Sequence, residues 1–119
     1  MCVSRQQQTY GISRQGKNNI SCVVDADPTE VSFSWTLNAT NVVRELRGFK
    51  SFETLSGAKS IIEYHPVTKV DYGALFCHAR NAIGHMREPC IFHIVPAGIL
   101  QLLAYSIFKY ILLDNKIFK

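Results

Sequence analysis

The chain has 119 residues, enough for one domain with a real core and too few for two. Apolar residues make up 47% of it, which excludes a disordered chain. The formal net charge of +4 would suit a phosphate-binding groove only if it lay on the folded body. Instead Arg5, Arg14 and Lys17 stand at one end and Lys109, Lys116 and Lys119, against Asp114, at the other, leaving residues 19–96 with seven basic and eight acidic residues, a balance of −1. That distribution argues against a nucleic-acid partner.

Residues 1–9 read as an irregular N-terminal segment. "MCVSRQQQTYGISRQG" contains no apolar run of the length a secretory signal needs. From there the sequence alternates apolar and polar residues with the period of a strand. The clearest strands are "ISCVV" (20–24), "VSFSWTL" (31–37), "SIIEY" (60–64), "ALFCHA" (74–79) and "CIFHIV" (90–95). Between them lie "DADPTE", "NAT", "LSGAKS", "HPVTKVDYG" and "RNAIGHMREP", all rich in turn formers. No stretch before residue 97 carries a helical apolar stripe. Short strands at this spacing predict an all-β sandwich over residues 10–96.

Cys22 lies on an early strand, Trp35 thirteen residues later on the next, and Cys77 fifty-five residues after Cys22. Parity agrees across these strands. An inward Cys22 brings Ile20 and Val24 inward, an inward Trp35 brings Val31, Phe33 and Leu37, and an inward Cys77 brings Leu75 and Ala79. All are apolar, so three strands independently define one inner face.

This Cys, Trp, Cys spacing resembles the immunoglobulin signature, and "CHARNAIG" resembles the C-x-A-x-N-x-x-G pattern of intermediate-set immunoglobulin domains. More specifically, "CVVDADPTEVSFSWTLNAT", "YHPVTKVDYGALFCHARNAIG" and "EPCIFHIVPAG" are similar to a domain of the insect sidestep family of cell-surface guidance proteins, over about residues 10–97. The resemblance implies an immunoglobulin-like Greek-key β-sandwich, a Cys22–Cys77 disulfide between its sheets with Trp35 packed on it, and a hairpin formed by Asn81 and Gly84. A bridge closing that loop would restrict the unfolded chain by about 4 kcal/mol on the entropic model. One departure is Leu75, two residues before the second cysteine, where most such domains carry a tyrosine; Tyr72 lies on the wrong side of Gly73 to replace it. The implied function is non-enzymatic cell-cell recognition, such as axon guidance. The implied partner is a beaten-path-like immunoglobulin receptor and the implied location the cell surface, as part of a longer protein. A structural spacer domain or a fragment with no ligand of its own is the alternative.

Strand parity nominates the surface. With Trp35 and Cys77 inward, Ser32, Ser34 and Thr36 on one strand and Phe76, His78 and Arg80 on its neighbour face outward, an aromatic beside small polar groups as interfaces favour. Two glycosylation triplets, "NIS" at Asn19 and "NAT" at Asn38, supply the required hydroxyl residue. Cys2 and Cys90 could pair with each other, stay free or bond to another domain, and Cys90 shares a face with Phe92 and Ile94. His65, His78, His85 and His93 show no ligand spacing of a zinc site, no cofactor motif is present, and no nucleophile or acid pair has a catalytic spacing. Asp71 is the one acid expected to be buried, paired with a base such as Arg47 or Lys50.

After Gly98 the composition changes. "ILQLLAYSIFKYILL" is apolar but broken by Gln101 and Lys109, and residues 97–113 reach only the lower limit for a membrane helix. Three readings of 97–119 stand: a membrane anchor, an extension lying on the domain, or a non-native continuation of a module cut from a longer receptor.

Overall fold

The computed structural model describes residues 1–3, 6–39 and 42–97. The membrane-helix reading of the tail falls on residues beyond 97, outside the described residues, and among those described no helix is long and apolar enough to cross a membrane.

Among the described residues the chain is all-β, in two sheets. Its elements are β1 (Thr9–Ile12), β2 (Asn18–Asp25), β3 (Ser32–Ala39), β4 (Val42–Leu46), β5 (Lys50–Glu53), β6 (Gly57–Tyr64), a 3₁₀ turn (Lys69–Asp71), β7 (Gly73–Arg80) and β8 (Cys90–Pro96). The larger sheet has the order β1-β8-β7-β3-β4 and the smaller β2-β6-β5. All neighbours are antiparallel except β1 and β8, which run parallel. The five strands expected from alternation are present, four of them containing the whole expected span and β3 starting at Ser32, one residue after Val31. Three were not read: β1, which is only four residues long; β4, whose inward position holds Arg44; and β5, exposed at every residue.

Alternation decides what each sheet buries. Ile20, Cys22 and Val24 of β2 face Trp35 and Leu37 of β3, Leu75, Cys77 and Ala79 of β7, and Phe92 and Ile94 of β8 in one continuous core. Phe33 and Val31 pack against its border, half-buried. Cys22 and Cys77 are bonded, with Cα atoms 6.5 Å apart, and so tie the two sheets together through the middle of this core.

Cys2 is bonded to Cys90, which decides among the pairings left open by the sequence. Residues 1–3 lie along β2: Val3 N–H donates to Val23 C=O (3.0 Å) and Asp25 N–H to Met1 C=O (2.8 Å). Further on, Gln6 Oε1 accepts the N–H of Val23 at 2.8 Å. By Thr9 the chain has crossed to the other sheet and pairs with β8. The free edge of β2 is thus covered by the chain's own start, which removes a template for unwanted strand pairing. The Cys2–Cys90 bond closes a separation of 88 residues and secures this crossing segment.

Trp35, fully buried, stacks against Phe92 with ring centroids 5.8 Å apart. Its indole N–H donates to Ser60 Oγ at 2.9 Å, and the Ser60 hydroxyl donates to Lys50 C=O at 3.0 Å. One serine therefore satisfies the core tryptophan and links β3 to β6 and β5. Replacing Ser60 by Ala leaves the indole N–H without a partner in a dry interior, a cost of about 1–3 kcal/mol. Urea unfolding of Ser60→Ala should show that loss with an unchanged m-value; wild-type stability would remove the relay from the account of the core.

Candidate functional site

The outward side chains of the larger sheet form the candidate face. Ladder register places Ser32 opposite Arg80, Ser34 opposite His78 and Thr36 opposite Phe76, so the six residues nominated from parity stand as three cross-strand pairs on one surface. Phe76, Ser34 and Thr36 are half-buried, and His78, Arg80 and Ser32 exposed. The rings of Phe76 and His78 meet edge to face, centroids 6.4 Å apart. Arg80 stands at the end of the face, where it lines an open hollow of about 340 Å³ beside Asp25, Asp27 and His85.

Two apolar members of the face were not read from the sequence. Ile91 of β8 lies opposite Phe76 and is 41% exposed; Val43 of β4 lies opposite Asn38 and is 75% exposed. Ile91 was legible in principle, since Cys90, Phe92 and Ile94 share the other face of its strand. Val43 required β4, and β4 breaks its own alternation at Arg44. Across the centre of the sheet, Glu45, Thr36, Phe76 and Ile91 form one row, and Val43, Asn38, Ala74 and His93 the row beside it.

The backbone behind Phe76 and Ile91 is fixed covalently. Cys77 and Cys90 are themselves register partners on β7 and β8, and each belongs to a different disulfide. Gly73 starts β7 close to the end of β3, where a Cβ would come within 2.7 Å of Asn38 C=O, so any other residue would push the strands apart. At the other end of β7, Asn81 Oδ1 accepts the N–H groups of Ile83 (3.0 Å) and Gly84 (3.2 Å), and its Nδ2 donates to Pro28 C=O at 2.9 Å. Asn81 and Gly84 thus make the turn expected of them, braced against the loop between β2 and β3.

The edge strand β4 is held from the inner side. Arg44 Nη2 donates to Asp71 Oδ1 at 3.0 Å, and Asp71 Oδ2 accepts the N–H groups of Val67 (2.8 Å) and Thr68 (2.9 Å). Neither Arg47 nor Lys50 fills the role expected for it. Pairing of β4 on β3 sets Arg44 opposite inward Leu37, whereas Lys50 belongs to the other sheet. The corner that Leu75 leaves without a hydroxyl receives one from Tyr64, which donates to Asp71 C=O; Tyr72 instead anchors Ile12 C=O of β1 at 2.8 Å. The Thr68 and Val67 amides, with Arg44 adding to them against the opposing effect of burial, hold the Asp71 carboxyl below its ordinary value near 3.8. Burial and the Asp71 charge push the Tyr64 hydroxyl up.

Asn19 is exposed on β2 of the smaller sheet and Asn38 is exposed on β3 within the candidate face, so both acceptor side chains reach solvent, on opposite faces. Thr40 of the second triplet lies outside the described residues. Among the described residues no three His, Cys, Asp or Glu side chains gather where they could hold a metal ion. Compared with models of known families and with curated proteins, the chain matches none of either.

Because the folded Asp71 carboxyl titrates lower than the unfolded one, its contribution to stability is complete above the unfolded value and is lost as pH falls through the folded one. The urea midpoint should therefore drop as pH is lowered below about 4, the unfolded aspartate range. Asp71→Asn should be less stable at neutral pH and show a shallower acid dependence; the same slope as wild type would place the acid sensitivity elsewhere.

Proposed function

We propose that this chain is an immunoglobulin-like recognition module, and that the outer face of its larger sheet docks onto another immunoglobulin-type receptor domain. The strand order β1-β8-β7-β3-β4 against β2-β6-β5, with a β2–β7 disulfide over a buried tryptophan, supports the Greek-key immunoglobulin topology. The resemblance of "CHARNAIG" and "YHPVTKVDYGALFCHARNAIG" to sidestep-like domains supports display at a cell surface as part of a longer protein, with a beaten-path-like receptor as partner and guidance of growing axons as the setting. An anchor through 97–113 is the matching arrangement at the membrane.

The observation that carries the docking face is the centre of that sheet. Phe76 and Ile91 stand side by side, with Ala74 and Val43 in the next row, and are ringed by Ser32, Ser34, Thr36, Asn38, His78, His93, Glu45 and Arg80. An aromatic anchor beside aliphatic groups within a polar rim is the composition in which binding energy concentrates. Its strands are preorganised, so little ordering entropy opposes docking.

The test is a panel of immunoglobulin receptor ectodomains offered to the full chain, secreted from eukaryotic cells behind a cleavable leader and then enzymatically deglycosylated. One should bind saturably, and Phe76→Ser should weaken that binding at least tenfold, as expected of an interface anchor. Its melting temperature should change little, because Phe76 lies outside the core. Parallel loss of binding and stability would make Phe76 a structural residue, and absence of any saturable partner would favour the spacer.

A further inference from the structure

The geometry points to Asn38 as a gate on the candidate face: an oligosaccharide attached there covers Val43 and Phe76 and excludes a docked partner. The gating consequence rests on the docking reading above; the covering does not.

Asn38 belongs to the outward set of β3 together with Ser32, Ser34 and Thr36, and it is exposed. Its cross-strand neighbours are Val43 on one side and Ala74 on the other. Directly opposed residues in a sheet have Cβ atoms about 5 Å apart, and diagonal ones lie within about 8 Å. Val43 is therefore in direct contact range of the Asn38 side chain, and Phe76, two residues along β7 from Ala74, is its diagonal neighbour. Glu45 is diagonal to it on the other side, past Val43. A branched glycan of several sugar rings leaving this amide toward the centre of the sheet overhangs Val43 and Phe76. Asn19, by contrast, sits on the other sheet, opposite Glu63, where a glycan leaves the candidate face open.

The sequence supplies the acceptor. Asn38-Ala39-Thr40 has the hydroxyl residue two positions on, and its middle residue is not proline. In the transfer, Asn38 Nδ2 attacks the anomeric carbon of a lipid-diphosphate-linked oligosaccharide supplied by the secretory pathway. The new N–C bond forms as the C–O bond to the diphosphate breaks; the diphosphate leaves with the electron pair, and the amide proton passes to the transferase. The chain contributes only the acceptor amide and its place on the sheet.

Val43, 75% exposed on an edge strand, is the aliphatic surface that such a glycan shields. The glycan covers apolar surface in the modified form, and the unmodified form presents it.

The test uses the full chain, secreted behind a cleavable leader, with Val43→Cys as a reporter. Intact mass before and after enzymatic deglycosylation gives occupancy at Asn38. The rate at which a polymer-linked maleimide modifies the reporter gives the cover. Val43→Cys should react at least tenfold more slowly than the same reporter combined with Asn38→Gln or with Thr40→Ala, which keeps the asparagine and removes only the acceptor hydroxyl. Asn19→Gln should leave the rate unchanged. An unoccupied Asn38, or equal rates with and without the glycan, overturns the proposal. The receptor panel then separates the two readings. Tighter binding by Asn38→Gln than by the glycosylated chain supports the gate. Equal binding by both forms, with Phe76→Ser weak in each, overturns the gate and keeps the docking face. A reporter slowed by the glycan with no receptor bound by any form supports the cover and removes the docking face.

Discussion

The Cys22–Cys77 bond, with Trp35 set opposite Cys77 on the neighbouring strand, is the constraint on which the remaining structure depends. It joins β7, the central strand of the larger sheet, to β2 at the edge of the smaller, across two sheets that share no ladder, so it fixes their separation through the buried core. Bulky neighbours must then fill the space around it, and Trp35, Phe92, Leu37 and Leu75, all fully buried, do so. A tryptophan in that position brings a donor into a dry interior. Ser60 answers it and passes the hydrogen bond on to Lys50, which draws the short and fully exposed β5 onto β6. The smaller sheet thus owes its third strand partly to the polar requirement of a residue in the larger one.

The same logic explains which parts of the chain were legible beforehand. Strands with one face in the core announce themselves, because Ile20, Cys22, Val24 or Leu75, Cys77, Ala79 must alternate with polar neighbours. β5 buries nothing and so leaves no pattern. β4 interrupts its pattern for a charge, since inward Arg44 is satisfied by Asp71, a partner twenty-seven residues away that no local window contains. The Asp71 role was legible, its partner was not, and the reason is that the partner depends on the register of a strand that was itself invisible. The Cys2–Cys90 pair was illegible for a similar reason: it requires the N-terminal segment to begin on one sheet and end on the other.

The candidate face was legible as two strands of three outward residues and incomplete as a surface. Parity alone orients Phe76, His78 and Arg80, but their alignment with Thr36, Ser34 and Ser32 is a matter of β3–β7 register, braced by the Asn81 Nδ2–Pro28 C=O hydrogen bond at one end and the tight approach of Gly73 to Asn38 at the other. Ile91 completes the centre of the face and Val43 its edge. Tyr64 shows the limit of motif transfer. The hydroxyl that most immunoglobulin domains carry two residues before the second cysteine is absent at Leu75, and at this corner Tyr64 of β6 donates to Asp71 C=O.

What distinguishes this face from other exposed apolar groups on the molecule is rigidity. Leu55 and Ile83 are more exposed than Phe76, but they sit on turns, where a side chain ordered on binding costs conformational entropy. Phe76 and Ile91 each directly adjoin a disulfide-bonded cysteine, and those two cysteines face one another across the same ladder. The covalent network of the core is therefore anchored immediately beneath the centre of the outer surface. The second disulfide ties β8 through Cys90 to Cys2, in the segment that lies along β2, so both strands behind Phe76 and Ile91 carry their own covalent link across the sandwich. Both bonds thus converge on one register pair, Cys77 and Cys90, directly beside Phe76 and Ile91 at the centre of the outer face.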